Sequence, residues 1–216
     1  MGSTNDVSAV FVANLTSLPT QRPQGARTHP TKQGRRTLNT SDQSHRLDLS
    51  RAFQPLQIAV LTISDTRTLE TDRSGAKLIE LLERDGHTLH TRAILPDEQA
   101  AIEAQLRTWI AEPTIQVVLC TGGTGITRRD VTPEAFHAVY EKEIPGFGEL
   151  FRYLSYAKIG TSTIQSRATA GLANQTLLFA LPGSTGACSD AWEDILRWQL
   201  DIRHRPCNFT ELLDRT

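Results

Sequence analysis

The sequence predicts an α/β fold, a three-layer α/β/α sandwich around a mostly parallel central sheet. Short uninterrupted apolar runs recur at residues 58–63 (IAVLTI), 115–120 (IQVVLC) and 176–181 (TLLFAL), the pattern of strands buried on both faces. Segments with helical spacing separate them. Two of the runs lead into glycine-rich loops, TGGTG and PGSTG. A strand that passes through such a loop into a helix is the βαβ unit of parallel sheets.

Each element follows in turn. After the strand at 58–63, residues 72–86 read as a helix, with Leu78, Ile79, Leu81 and Leu82 on one side and Gly86 as its stop. A second strand is expected over 88–95. The helix at 97–111 opens with Asp97 and Glu98, acids that suit the positive end of its dipole. The third strand, 115–120, ends at the TGGTG loop. Helices are expected at 133–140 and 147–158, a further strand at 176–181, and a closing helix at 187–200.

The chain has 216 residues, enough for one sizeable α/β domain and too few for two ordinary ones. Residues 1–54 differ from the rest. They are rich in Ser, Thr, Gln and Pro, and Arg22, Arg27, Lys32, Arg35, Arg36 and Arg46 outnumber Asp6, Asp42 and Asp48. Such a segment buries too little apolar surface to offset its ordering entropy, so a flexible extension is expected there and a folded domain over 55–216. A transit peptide, a docking arm and a dispensable upstream extension all fit the composition.

A net charge of -1 argues against a dedicated nucleic-acid binder, whose phosphate contacts need a basic surface. No apolar run approaches the ~20 residues of a membrane span. Residues 7–18 make a poor signal peptide, because no Lys or Arg precedes them and Asn14 interrupts them. The three cysteines, Cys120, Cys188 and Cys207, show no CxxC pairing. A reducing, cytoplasmic setting is therefore expected, with the cysteines as buried packing.

In open α/β sheets ligands bind beyond the carboxyl ends of the strands. Three loops there carry the candidate residues: Ser64-Asp65-Thr66, Thr121-Gly122-Gly123-Thr124-Gly125, and Pro182-Gly183-Ser184. Glycines let the backbone approach a ligand, and adjacent N–H groups and hydroxyls bind phosphate oxygens. The loop is neither a Walker loop nor GxGxxG. Arg128-Arg129-Asp130-Val131-Thr132-Pro133-Glu134 follows it, with Thr132 and Pro133 suited to a helix start. A carboxylate among phosphates needs a cation, which makes Asp130 a candidate magnesium ligand; a simple turn cap is the alternative. Asp97 admits the same two readings. Phe147, Phe151, Tyr153 and Tyr156 crowd one stretch, either as a contact between chains or as a face packed on the sheet.

The ordered set SDT, PDE, TGGTG, RDVTPEA, PGFGELFR, GTSTIQSRA, LPGSTGACSDAWE and RPCNF resembles the MoaB/Mog molybdopterin-binding family over roughly residues 55–213. The resemblance implies a role in molybdenum cofactor biosynthesis. The implied reaction is transfer of AMP from ATP, with Mg2+, to the terminal phosphate of molybdopterin, releasing pyrophosphate. It makes Asp97 and Asp130 catalytic and metal-binding, and places Asp65, Thr121, Gly122, Gly123, Thr124, Gly125, Glu134, Gly183 and Ser184 around the substrate. A non-catalytic carrier or scaffold for the pterin is the competing expectation. The family also implies a homo-oligomer, trimer or hexamer, and a molybdenum insertase as partner.

Overall fold

The computed structural model describes residues 46–213. A short strand, β1 (Arg46–Leu47), precedes the long β2 (Gln57–Ile63). Then α1 (Arg73–Arg84), β3 (Thr88–Leu95), α2 (Gln99–Ile110) and β4 (Val117–Thr121) alternate. Next come α3 (Thr132–His137), β5 (Lys142–Glu143), α4 (Pro145–Ile159) and a 3-10 turn (Gly160–Gln165). β6 (Thr169–Ala173) and β7 (Thr176–Leu181) form a hairpin across Asn174 and Gln175, both at positive φ (43° and 66°), as a tight two-residue hairpin turn requires. The last long helical stretch runs through α5 (Thr185–Ala191), a π-helical turn (Trp192–Leu196) and α6 (Arg197–Gln199). β8 (His204–Arg205) and α7 (Thr210–Leu213) follow.

Six strands form one sheet in the order β3-β2-β4-β7-β6-β5. The β2–β3, β2–β4 and β4–β7 pairs are parallel, whereas β6 and β5 add to the far edge antiparallel. The four expected strands are all present. β6 was not expected, and its composition explains why. TAGLA offers little of the β-branched or aromatic character that marks a strand. Gly171 is nevertheless required there, because a Cβ would overlap the ring of Tyr140.

Alternation along the central strands divides the core into two layers. Ile58 and Val60 of β2, Val117 and Leu119 of β4, and Leu177 and Phe179 of β7 face α1, α4 and α5, meeting Leu78, Leu82, Phe151 and Trp192. Ala59, Leu61, Val118, Cys120, Leu178 and Ala180 face the other way, against Ile102 and Leu106 of α2 and Phe136 of α3. With both faces covered, the strands read as continuous apolar runs rather than alternating ones. Cys120 and Cys188 are buried as expected, but Cys207 is exposed on the loop after β8, so packing does not account for it. The aromatic group splits: Phe147 and Phe151 are buried, while Tyr153 and Tyr156 are each 60% exposed.

Residues 1–45 of the expected extension lie outside the described residues. Residues 46–54 pack on the domain. β1 pairs antiparallel with β8, Arg46 opposite Arg205 and Leu47 opposite His204. Arg51 pairs with Glu211 at 2.7 Å and Arg205 with Asp48 at 2.7 Å. Phe53 lies against the buried ring of His87 at 5.2 Å, and Trp192 meets that ring edge-on from the core.

His87 is held neutral in this position. Burial pushes its pKa from 6.5 down to about 4, against the opposing pull of Asp201 and Asp85. Its Nδ1 accepts the Leu56 N–H at 3.2 Å, a role only the neutral ring can fill. A depressed folded-state pKa contributes stability that is fully present above pH 6.5 and is lost as pH falls toward 4. The difference amounts to about 3 kcal/mol. Denaturant unfolding followed from pH 7.5 to 4.5 is expected to show this decline. His87→Asn, which keeps an acceptor without a titrating ring, should flatten it.

Candidate functional site

β2, β4 and β7 run parallel and end side by side, at Ile63, Thr121 and Leu181, so their following loops converge beyond one edge of the sheet. The turn after β4 carries Gly122 at φ 107° and Gly123 at φ 63°. Both are conformations that side chains resist. A Cβ on Gly122 would overlap the Ile63 carbonyl oxygen, and one on Gly123 would overlap Thr132 Oγ1 and press on Asp97 Oδ1. Gly122 is also where the loop after β7 comes closest: a Cβ on Gly183 would lie 3.2 Å from the Gly122 Cα.

Hydrogen bonds fix these turns to one another. Gly122 N–H donates to Leu181 O at 3.1 Å, and Thr132 Oγ1 donates to Gly122 O at 2.9 Å. Thr121 is fully buried and its hydroxyl donates to Pro182 O at 2.9 Å. Its role is to tie two strand ends together. Ser184 caps α5, accepting the Ala187 N–H at 3.1 Å, and Ser74 Oγ reaches Gly183 O at 3.3 Å.

Two recesses flank the Gly122–Gly183 contact. The larger, about 510 Å³, lies between the β4–α3 and β7–α5 loops, α4 and the 3-10 turn. Gly123, Thr124, Gly125, Asp130, Gly183 and Ser184 line it, so six of the expected residues meet there. Phe151 and Ile159 give this recess an apolar wall, and Ser155, Ser162, Thr163 and Gln165 add hydrogen-bonding groups. The smaller, about 360 Å³, lies on the α1 side and holds Arg67, Arg73, Ser64 and Ser74 beside Gly122 and Ser184. Its floor is the buried Asp72, which accepts from Thr62 Oγ1 at 2.6 Å, Gly75 N–H at 2.9 Å and Arg92 at 2.8 Å. Burial alone would raise the Asp72 pKa; these three donors outweigh it and hold the carboxyl below its usual range.

The four expected acids fare differently. Asp65 is exposed, ion-paired with Arg129, and accepts the Asp97 N–H at 3.2 Å. Asp130 faces the larger recess while its Oδ2 accepts from Thr127 N–H at 2.8 Å and Thr127 Oγ1 at 2.6 Å. Burial opposes ionisation of Asp130, yet these bonds, with the Gly125 N–H and nearby Arg167, hold its pKa below the ordinary value. Glu134 lies outside both recesses and pairs with Arg167. Asp97 stands apart from the other three. Burial pushes its pKa up, the Val131 N–H opposes, and the carboxylates of Asp130 and Asp65 add to the rise. Its Oδ1 is buried with no hydrogen-bond partner.

Several contributors were not legible as site residues. Asp72 reads in sequence as a helix start, which it is, and only the fold brings Arg92 and Thr62 to it. The 3-10 turn was visible merely as part of a motif. Among the described residues, no group of three or more His, Cys, Asp or Glu side chains is placed to hold a metal ion. No helix among them is long and apolar enough to cross a membrane.

Gly122 offers a direct check on this construction. Gly122→Ala forces both a strained φ and a steric overlap with β2. It is expected to cost about 3 kcal/mol of stability by denaturant unfolding. Gly146→Ala, in open space at the start of α4, should cost far less.

Known proteins share this arrangement. The family model described as a "probable molybdopterin binding domain" matches residues 59–201. Molybdenum cofactor biosynthesis protein B of Escherichia coli (strain K12) is 52% identical over 161 residues, covering 74% of this chain and 95% of that protein. The protein of the same name from Staphylococcus carnosus is 48% identical over 149 residues, covering 68% and 87%. A crystal structure of a molybdenum cofactor biosynthesis protein B superposes with a TM-score of 0.72 at 41% identity, covering 77% of this chain and all of that one. The tungsten cofactor synthesizing protein MoaB from Pyrococcus furiosus gives 0.60 at 35% identity, covering 67% and 92%. The family model spans both glycine loops and the lining of both flanking recesses, and the chain belongs to the molybdopterin-binding family of molybdenum cofactor biosynthesis proteins.

Proposed function

We propose that this protein binds molybdopterin and adenylylates its terminal phosphate with Mg-ATP, releasing pyrophosphate. The observation that carries the reading is Asp97: a buried carboxylate oxygen without a partner, close to Asp130 and beside Gly123, a glycine that lines the larger of two recesses of unlike chemistry. The larger recess, with apolar walls and scattered hydroxyls, suits a flat heterocycle whose edges need hydrogen bonds. The smaller one, with Arg67, Arg73 and its serines, suits a polyphosphate. Between them the Gly122–Gly183 contact leaves room for backbone but not for side chains.

In this reading an oxygen of the pterin phosphate attacks the α-phosphorus of ATP. A new P–O–P bond forms, the bond to the β-phosphate oxygen breaks, and pyrophosphate leaves with the electron pair. The pterin phosphate is itself the nucleophile, so the protein supplies alignment and charge stabilisation. Thr121, Gly122 and Thr132 keep the loop rigid; Thr124, Gly125 and the backbone around them face the reacting groups. Asp97 and Asp130 are suited to hold magnesium, which binds through one or two carboxylates together with substrate phosphates. The partnerless Asp97 oxygen fits that donor set, since a bound cation would relieve its uncompensated charge. When bound, the ion neutralises phosphate charge.

Asp97→Asn separates this reading from a purely structural one. Removing a poorly solvated charge should leave the melting temperature unchanged or raise it. Pyrophosphate release is expected to fall about a hundredfold, the scale of losing one charge-stabilising group, with pterin affinity little changed. A variant as active as the wild type excludes Asp97 from the chemistry. The second reading, a pterin carrier, draws on Asp65 and Glu134 being already neutralised by Arg129 and Arg167. Tight pterin binding with no ATP turnover by the wild type establishes it.

The reading includes a homo-oligomer, trimer or hexamer, through the outer face of α4. Leu150, Tyr153 and Tyr156, with Ile164 on the turn that follows, are 43–75% exposed, a cluster of large apolar side chains of the kind that marks contacts between chains. Sedimentation equilibrium is expected to give a multiple of three, and a monomer overturns it.

A further inference from the structure

Arg167 lies two residues after the 3-10 turn; it does not line the larger recess but the groove between α3 and α4. Its three nitrogens reach three acceptors of that loop and helix. Nε donates to Gly125 O at 2.7 Å, Nη2 donates to Asp130 O at 2.7 Å, and Nη1 pairs with the Glu134 carboxylate. Its own backbone N–H donates to Thr124 O at 3.1 Å. One residue thus holds the loop and the helix that follows at four points: Thr124, Gly125, Asp130 and Glu134.

The opposite side of the same segment is braced as well. Arg152 of α4 donates to Ala168 O at 3.3 Å and approaches Ser166 O at 3.5 Å, while Thr163 Oγ1 donates to Arg152 O at 3.2 Å. The segment 163–168 is therefore fixed to α4 on one side and, through Arg167, to the loop on the other. At this end the loop is otherwise tied to the neighbouring loop by the exposed Arg129–Asp65 ion pair and by the Val131 N–H to Asp97. Ile126, Thr127, Arg128 and Arg129 are exposed, and the Asp130 side chain is bonded to Thr127 within the loop itself.

We propose that Arg167 is a positioning residue for the ligand site. It does not touch the ligand; it sets the place of Gly125 and Asp130, and hence the shape of the larger recess, by clamping the loop from behind. The flat fork of a guanidinium spans three acceptors that a lysine ammonium cannot reach together. Arg167 is thus unavailable as a free positive charge for phosphate. The proposal rests on the reading above that this recess holds a ligand, but its test does not.

Amide hydrogen exchange is measured on the ligand-free full chain for wild type, Arg167→Ala and Arg167→Lys. Exchange at residues 122–131 is expected to accelerate about tenfold or more in both variants, the factor that about 1.4 kcal/mol of lost restraint gives. Amides of β4 and β7 should keep their wild-type rates, and added guanidinium ion should slow the loop again in Arg167→Ala. Unchanged loop exchange overturns the proposal. So does an acceleration shared equally by β4 and β7, which would mean that Arg167 supports the whole fold. Titration of the same proteins with molybdopterin and Mg-ATP then tests the ligand reading separately. Affinity should fall about tenfold in the variants if the recess is the site. A wild type that binds neither compound defeats the functional reading and leaves the exchange result to decide the role of Arg167.

Discussion

The carbonyl oxygen of Ile63 sits so close beneath Gly122 that no side chain fits between the end of β2 and the loop after β4. Much of the site depends on this approach. It draws the β4 loop down onto the sheet edge, lets Gly183 meet Gly122 from the next strand over, and places Asp97 and Thr132 beside Gly123. Parallel strands make the convergence unavoidable, because their carboxyl ends all point the same way. Glycine makes it sterically feasible, with φ values of 107° and 63° that follow one after the other. The recesses on either side are consequences of three backbones meeting without side chains between them.

Electrostatics around that junction follow a simple division. Most carboxylates here are matched: Asp72 with Arg92, Asp65 with Arg129, Glu134 with Arg167, and Asp130 with Thr127. Such matching favours the ionised form and locks loops in place. Asp97 is unmatched on one oxygen and surrounded by other acids. Three other buried side-chain atoms among the described residues also lack a partner, Arg92 Nε, Tyr140 OH and Thr210 Oγ1, but Asp97 Oδ1 alone belongs to a carboxylate, and it lies beside Gly123 where the loops converge. Unsatisfied groups of this kind cluster at functional sites, since a ligand can complete them.

The sheet's parallel half and the three site loops were legible because continuous apolar runs and glycine-rich turns are local signals. Asp72 was visible as a helix start through its position before a periodic segment. The antiparallel edge was not legible, since TAGLA packs through the absence of side chains: Gly171 makes way for Tyr140. Nor was the role of Arg167, whose three acceptors lie 33 to 42 positions away in sequence. An exposed basic residue and a structural clamp look the same until the fold brings the carbonyls to it. Ser184 and Thr121 illustrate the reverse case. Both sit in ligand-loop motifs, yet their hydroxyls are bonded within the protein, to Ala187 N–H and Pro182 O. Composition made residues 46–54 look like tail, and only long-range pairing shows them docked.

That docking has a consequence for how the chain is made. β1 finds its partner at His204 and Arg205, and Arg51 finds its own at Glu211. A polypeptide emerging from the ribosome carries the early segment exposed until nearly the whole domain has followed. Phe53 and the apolar surface around His87 therefore spend most of translation uncovered, and closure of this corner is a late, length-dependent event.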